Sequence, residues 1–262
     1  MIGAVIGDIV GSVYEFHNIK TKDFPLFSAG SSFTDDSVMT IAVAHALSEW
    51  KEKEDVDAFK RILIARMHDY GRRYPHAGYG GRFRHWLRHG DTEPYGSYGN
   101  GSAMRVSAVA YYAKDLADAL TLAEASAAVT HNHSEGIKGA AVTAGATFLA
   151  RNGASKEEIR HFVEGYYDIS FTLDEIRPSY RFNETCQGTV PQAMVAFFES
   201  ADFEDALRCA ISIGGDSDTL AAITGAVAEA FYGVPRDLKR CALARLDAPL
   251  RKVCKRFMKT FK

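Results

Sequence analysis

The sequence is poor in the features that mark several classes of protein. Four cysteines in 262 residues (Cys186, Cys209, Cys241 and Cys254) make no CxxC pair and no zinc-type spacing, so neither a disulfide framework nor a thiolate metal site is indicated. They read as reduced thiols of a cytosolic protein, with Cys186 as a catalytic nucleophile the minor alternative. Charge of one sign is not in excess. Thirty-one Lys and Arg face 33 Asp and Glu for a formal net of −2, which argues against a nucleic-acid face or a polybasic membrane patch. Long hydrophobic runs are missing too. The opening MIGAVIGDIVGSVYEF is apolar, but it lacks a basic leader, carries Asp8 and reaches Glu15 too soon to cross a bilayer. No signal peptide or membrane helix is expected. The chain also lacks a Pro/Ser/Gly-rich linker, a repeat at a fixed period and strand-type alternation. Residues 1–262 therefore read as one all-α domain.

Helical periodicity is what the chain has in quantity. Ile2, Val5, Ile6, Ile9, Val10 and Val13 fall at helical spacing, and Gly3, Gly7 and Gly11 line a second face at four-residue steps. Glycine is a poor helix former, so that face implies another backbone packed close against it. Further stripes run through Met39 to Trp50, Phe59 to Tyr70, the alanine-rich 103–128 with a break near Lys114-Asp115, Gly136 to Ala150, Ile159 to Tyr166, Val190 to Phe198 and Leu220 to Phe231, the last stopped by Gly233 and Pro235. Ser155 and Glu158 form a capping box, and Pro191 fits a first helical turn. Two long stretches, 14–33 and 71–102, read as irregular, and loops of that length in a compact domain are usually functional.

Two acidic clusters open apolar stripes: FTDDS at 33–37 and GGDSDT at 214–219. Each has an ordinary reading as a helix N-cap, since side-chain oxygens and negative charge are favoured there. A cap needs one oxygen, whereas each cluster offers two carboxylates and a hydroxyl. Thr34, Asp35 and Asp36 with Asp216, Asp218 and Thr219 would make an oxygen-only donor set suited to hard cations. Two octahedral ions would be about half-filled by these groups, leaving positions for water and substrate. An EF-hand begun at Asp216 fails, because Ala221 and Val227 stand where glycine and glutamate are required.

GSYGNGSAMR at 96–105 leads into a helix and is either a flexible turn or a cradle for an anion. Arg105 reads equally as a packed arginine and as a ligand contact. In THNHSEG, His131 and His133 lie two apart, which suits a loop histidine or a single ligand contact better than a soft-metal site.

Together, GAVIGDIVGSVYEF, FTDDS, GSYGNGSAMR, THNHSEGIKGA, VPQAMVAFF and GGDSDTLAAITGAVAEAFYG resemble the ADP-ribosyl-glycohydrolase family over most of the chain. That resemblance implies a compact single-domain orthogonal helix bundle with a dinuclear metal cleft, holding two Mg²⁺ (or Mn²⁺) ions. It implies hydrolysis at C1″ of ADP-ribose conjugates: ADP-ribosylated proteins or small molecules such as O-acetyl-ADP-ribose. GSVYE and GSYGNG resemble the branch that tends towards oxygen-linked conjugates, seryl or O-acetyl. Thr34, Asp35, Asp36, Asp216, Asp218 and Thr219 would be the metal ligands. Ser97, Tyr98, Gly99, Asn100, Gly101 and His131 would bind ADP-ribose. Glu15, Asp35 and Asp216 would take part in catalysis, Glu15 from a mobile loop. A non-catalytic ADP-ribose binder on the same scaffold is the alternative. A cytoplasmic monomer without nucleic-acid or membrane partners is expected, and residues 165–186 match no motif with a role.

Overall fold

The computed structural model describes residues 1–50 and 55–261. The helices run α1 Ile2–Gly11, α2 Asp35–Glu49, α3 Val56–Arg73, α4 Gly81–His89, α5 Gly101–Met104, α6 Ser107–Tyr112, α7 Leu116–Ala128 and α8 Ser134–Arg151. They continue as α9 Lys156–Glu164, α10 Leu173–Ile176, α11 Cys186–Glu199, α12 Phe203–Ile211, α13 Ser217–Tyr232, α14 Arg236–Arg245 and α15 Ala248–Thr260. Among the described residues there is no strand, only an isolated bridge between Gly99 and Thr185. No helix there is long and apolar enough to cross a membrane.

Two helices form the axis of the domain. Every residue of α1 is buried, and so is α13 from Ser217 to Ala228. A helix apolar all round belongs in the middle of a core, and these two lie against each other there. The glycine face of α1 makes the contact. A Cβ on Gly7 would fall on the Ala221 carbonyl, one on Gly3 would fall on the Gly225 carbonyl, and one on Gly11 would sit 2.5 Å from the Cα of Asp218. The backbones thus meet directly, with α8, α11 and α12 packed on the other sides of α13 and α2 against α1. Because Gly11 rests on Asp218, this packing also fixes where the first turn of α13 lies.

Some boundaries differ from the expectations. The alanine-rich stretch has the break expected near Lys114-Asp115, at 113–115, where the Asp115 carboxylate caps α7 by accepting from the Asp118 N–H, and a second, unexpected one at 105–106. α11 begins at Cys186, capped by Thr185, so Pro191 stands inside it and not in the first turn. Residues 71–102 are not wholly irregular: buried Phe83 and Trp86 anchor α4 to the core, Trp86 stacking on His68 of α3. Both the glycine stop after α13, at Gly233 with φ +77°, and the Ser155–Glu158 capping box are present.

Candidate active site

The two acidic clusters meet at the N-termini of α2 and α13. Oxygens of Asp36 and Asp218 lie with one of Asp8 within 4.8 Å of one another, and a second such group joins Glu15, Asp216 and Asp218. Hydroxyls tie the clusters together. Thr219 Oγ1 donates to Asp36 Oδ2 at 3.2 Å, and Thr34 Oγ1 donates to Asp8 Oδ1 at 2.6 Å with Asp218 Oδ2 further off at 3.4 Å. A hydroxyl that gives its proton to a carboxylate turns its lone pairs elsewhere, which is what a cation ligand requires.

Capping does not use up these carboxylates. Asp216 occupies the N-cap of α13 but makes no side-chain cap bond; its Oδ2 accepts instead from Asn100 Nδ2 at 2.7 Å. At α2 the Thr34 hydroxyl accepts only a long bond, 3.4 Å, from the Asp36 N–H. The strong capping there comes from Asp8, whose Oδ2 accepts from the N–H groups of Thr34 and Ser37, both at 3.0 Å. Asp35 and Asp36 are left unspent.

Asp8 is the site residue that the sequence reading passed over. The signal was present: one ionisable side chain inside IGAVIGDIVG, a helix otherwise apolar or glycine. A fully buried carboxylate costs several kcal/mol unless it is hydrogen-bonded or meets a cation. Its bonds to Thr34 and Ser37 meet part of that cost.

Electrostatically the cluster is under load. Among the described residues none of Asp8, Glu15, Asp35, Asp36, Asp216 and Asp218 belongs to an ion pair. Burial and mutual repulsion hold Asp35, Asp36 and Asp218 well above the usual carboxylate range. Burial pushes Asp216 up to about 6, and burial with Asp218 and Asp8 nearby pushes Glu15 up to about 8. Asp36 Oδ1 is buried without any hydrogen-bond partner. An orphaned anionic oxygen amid further carboxylates and two hydroxyls fits a divalent hard cation.

Glu15, Asp35, Asp36, Asp216, Asp218 and Thr219 line one side of a cavity of about 500 Å³, room for a nucleotide-sized ligand, while Asp8 lies behind them. The glycine-rich stretch lines another. Ser97, Tyr98, Gly99, Asn100 and Gly101 all face it, and Tyr98 is 44% exposed. The stretch is held by residues to which no role was assigned from sequence: Asn100 N–H donates to Glu184 O, and Cys186 N–H donates to Tyr98 O. Phe182, Glu184 and Thr185 complete that wall. Asn100 does more than line it, since its amide donates to both Asp216 and Thr189 and so couples the glycine stretch to the carboxylates.

His131 is buried beside Gly99 and Gly101, whose missing Cβ atoms would lie 3.6 and 3.2 Å from its Nε2. Burial, with Arg105 and Arg82 nearby, holds its pKa well below the ordinary value, so the ring is neutral. Arg105 supports it from behind: Nη2 donates to Ser126 O and to Thr130 Oγ1, and that hydroxyl lies 2.7 Å from His131 Nδ1. His133 has the structural role, capping α8 by accepting the Glu135 N–H. Cys186 is buried and its thiol is pushed up to about 12, which leaves it inert as a nucleophile.

The fold is all-α, built round the buried α1–α13 pair, with a carboxylate-rich cleft where the N-termini of α2 and α13 meet. The chain belongs to the ADP-ribosylglycohydrolase family, whose model matches residues 1–261, and is a glycohydrolase of that kind. It is 28% identical to ADP-ribosylhydrolase ARH3 of Mus musculus, across 89% of this chain and 83% of that protein. It is also 28% identical to ADP-ribosyl-[dinitrogen reductase] glycohydrolase of Rhodospirillum rubrum, across 97% and 91%. ADP-ribosylarginine hydrolase Tri1 of Pseudomonas putida (strain GB-1) is again 28% identical, over 89% of this chain and 70% of that one. A solved structure described as an ADP-ribosylglycohydrolase-related protein complex superposes with a TM-score of 0.70 over 100% of this chain and 97% of its own, at 22% identity, and shows the same fold.

Proposed function

We propose that this enzyme hydrolyses the C1″ bond of oxygen-linked ADP-ribose conjugates, with two Mg²⁺ or Mn²⁺ ions as cofactors. The observation that carries the reading is the meeting of Thr34 and Asp36 with Asp218 and Thr219 beside the cavity, where no basic side chain among the described residues forms an ion pair with the carboxylates. Thr34, Asp35, Asp36, Asp216, Asp218 and Thr219 would hold the ions. When bound, such ions supply Lewis-acid polarisation and a water made acidic enough to attack at neutral pH.

The chain's own groups do the rest. Asp8 holds Thr34 and the first turn of α2 in place, and Asn100 holds Asp216. The missing Cβ atoms of Gly99 and Gly101 make room for the His131 ring, and all three residues line the cavity where a pyrophosphate would sit. Tyr98 offers an exposed ring for stacking at the rim. Cleavage at an anomeric carbon develops oxocarbenium character, so a proton must reach the leaving oxygen and water must be aligned on the sugar. Glu15, half-buried and lining the cavity beside Asp216 and Asp218, would deliver the proton. Asp35 and Asp216 would orient the water.

The test is turnover of arginine-, serine- and acetate-linked ADP-ribose by one preparation, with EDTA and then with Mg²⁺ or Mn²⁺ restored. Oxygen-linked substrates should be cleaved, and chelation should stop cleavage reversibly. Cleavage of the arginine linkage alone would overturn the assignment of substrate. Binding of ADP-ribose without turnover of any conjugate would overturn catalysis.

A further inference from the structure

Residues 71–90, GRRYPHAGYGGRFRHWLRHG, contain five arginines and three histidines and no aspartate or glutamate. In a chain whose acids outnumber its bases, that is a local reversal of charge. The structure spreads it over one surface. α4 turns Phe83 and Trp86 inward, where Trp86 stacks on His68 at 4.2 Å, and leaves Arg82, Arg84, His85, Arg88 and His89 exposed. Of the five arginines only Arg73 is in an ion pair among the described residues, with Asp69. Arg84 is held in place all the same: its Nη2 donates to the Tyr79 carbonyl at 2.9 Å.

This surface is not remote from the cleft. A shallow hollow of about 340 Å³ is lined by His76, Gly78, Tyr79, Arg84, Leu87 and Arg88 among others. Gly78 also lines the active cavity, where its missing Cβ would lie 3.2 Å from Asp35 Oδ1. The two hollows share Gly78 as a lining residue, so a chain attached to a sugar held against the carboxylates would have Arg84 and Arg88 in the adjoining hollow.

Resting on the ADP-ribosyl hydrolase reading above, we infer that this hollow docks the polypeptide that carries the modified residue, and that this polypeptide is acidic. Like charges gathered without counter-charges favour an anionic partner and steer it in. Leu87, between Arg84 and Arg88 and half-buried, supplies apolar contact that suits side chains flanking a modified residue better than a phosphate track. The contact is a rim contact, so it sets the choice of substrate and not the chemistry.

The experiment compares two peptides that carry ADP-ribose on one serine and differ only in flanking glutamates or lysines, with O-acetyl-ADP-ribose as a substrate that has no polypeptide. At low salt the wild type should prefer the glutamate-flanked peptide. In Arg84→Glu/Arg88→Glu its kcat/KM should fall about tenfold, carried by KM, the scale of a few reversed surface charge contacts. The preference should fade as salt shortens the Debye length to about 8 Å and below. O-acetyl-ADP-ribose should be cleaved equally by both proteins, which also shows that the variant is folded. Equal turnover of the two peptides by wild type, or a variant indistinguishable from it, overturns the docking inference and leaves the activity standing. Competition by an unmodified oligonucleotide that depends on Arg84 and Arg88, without peptide preference, assigns the surface to nucleic acid instead. If no conjugate is cleaved at all, the activity fails and the docking inference with it.

Discussion

Two kinds of helix start in this molecule use nearly the same residues to opposite ends. At α9, Ser155 and Glu158 cap each other's backbone on an exposed turn, and those hydrogen bonds hold Glu158 below the ordinary carboxylate range. At α2 and α13 the same combination of hydroxyl and acid is buried, its carboxylates are pushed upward, and one oxygen of Asp36 has no partner. An acid serving as a cap is stabilised by the fold. An acid placed against other acids is held in spite of its cost, and the difference shows in the direction of the pKa shift and in the unused oxygen.

The largest effect that tests this contrast is on turnover. Asp36→Asn and Asp218→Asn should each lower hydrolysis of an ADP-ribose conjugate by more than about 100-fold, the upper end of what loss of an outer supporting group costs a metal site. Thermal stability in EDTA should hold or rise, because a repelling charge is gone. A variant with full, chelator-resistant activity would return the clusters to being caps. Asp8→Asn should fall between, about 10–100-fold in activity or metal affinity, since it supports Thr34 from behind. Isothermal titration with Mn²⁺ checks this, and unchanged affinity would make Asp8 purely a core residue.

The pH dependence of stability separates the two kinds of start. A carboxylate with a raised pKa contributes most when protonated, and its contribution is lost as pH rises through the folded value. Metal-free protein should therefore lose melting temperature from about pH 4 towards about 8, the value at Glu15. Mg²⁺ should restore more at pH 8 than at pH 5, because its ligands must be ionised. Capping acids such as Glu158 work the other way, stabilising above the ordinary value and failing only in acid. A flat melting curve in EDTA between pH 5 and 8 would contradict the loaded cluster. The smallest effect belongs to the ordinary start: Ser155→Ala should cost about 1 kcal/mol in urea unfolding and nothing in turnover.

Much of this was legible in the residues. The glycine steps at 3, 7 and 11 announced a close backbone neighbour, and the doubled acid-and-hydroxyl clusters announced more than capping. What was hidden had a physical reason. Nothing in the spacing of 34–36 and 216–219 says which helix ends meet, because that depends on α1 lying between them. Asp8 was hidden inside a run whose apolar pattern dominated it. Glu184 acts through its backbone, the Thr185 side chain is spent on capping α11, and Phe182 only lines the wall, so none of them carries a ligand motif. α4 was obscured because arginine and histidine outnumber the apolar residues that anchor it.

The contact of Gly11 with Asp218 has a consequence for how freely the core can vary. Spacing between the helix ends is gauged by main chain resting on main chain, without any side chain as a shim. Ile2, Val5, Ile6 and Ile9 are then free to exchange bulk with their neighbours while the carboxylates keep their places. A methyl group added at position 7 or 11 has no such latitude, since it must push two backbones apart. Libraries drawn over the two sets should part sharply: survivors across the aliphatic positions, and almost none across the glycines.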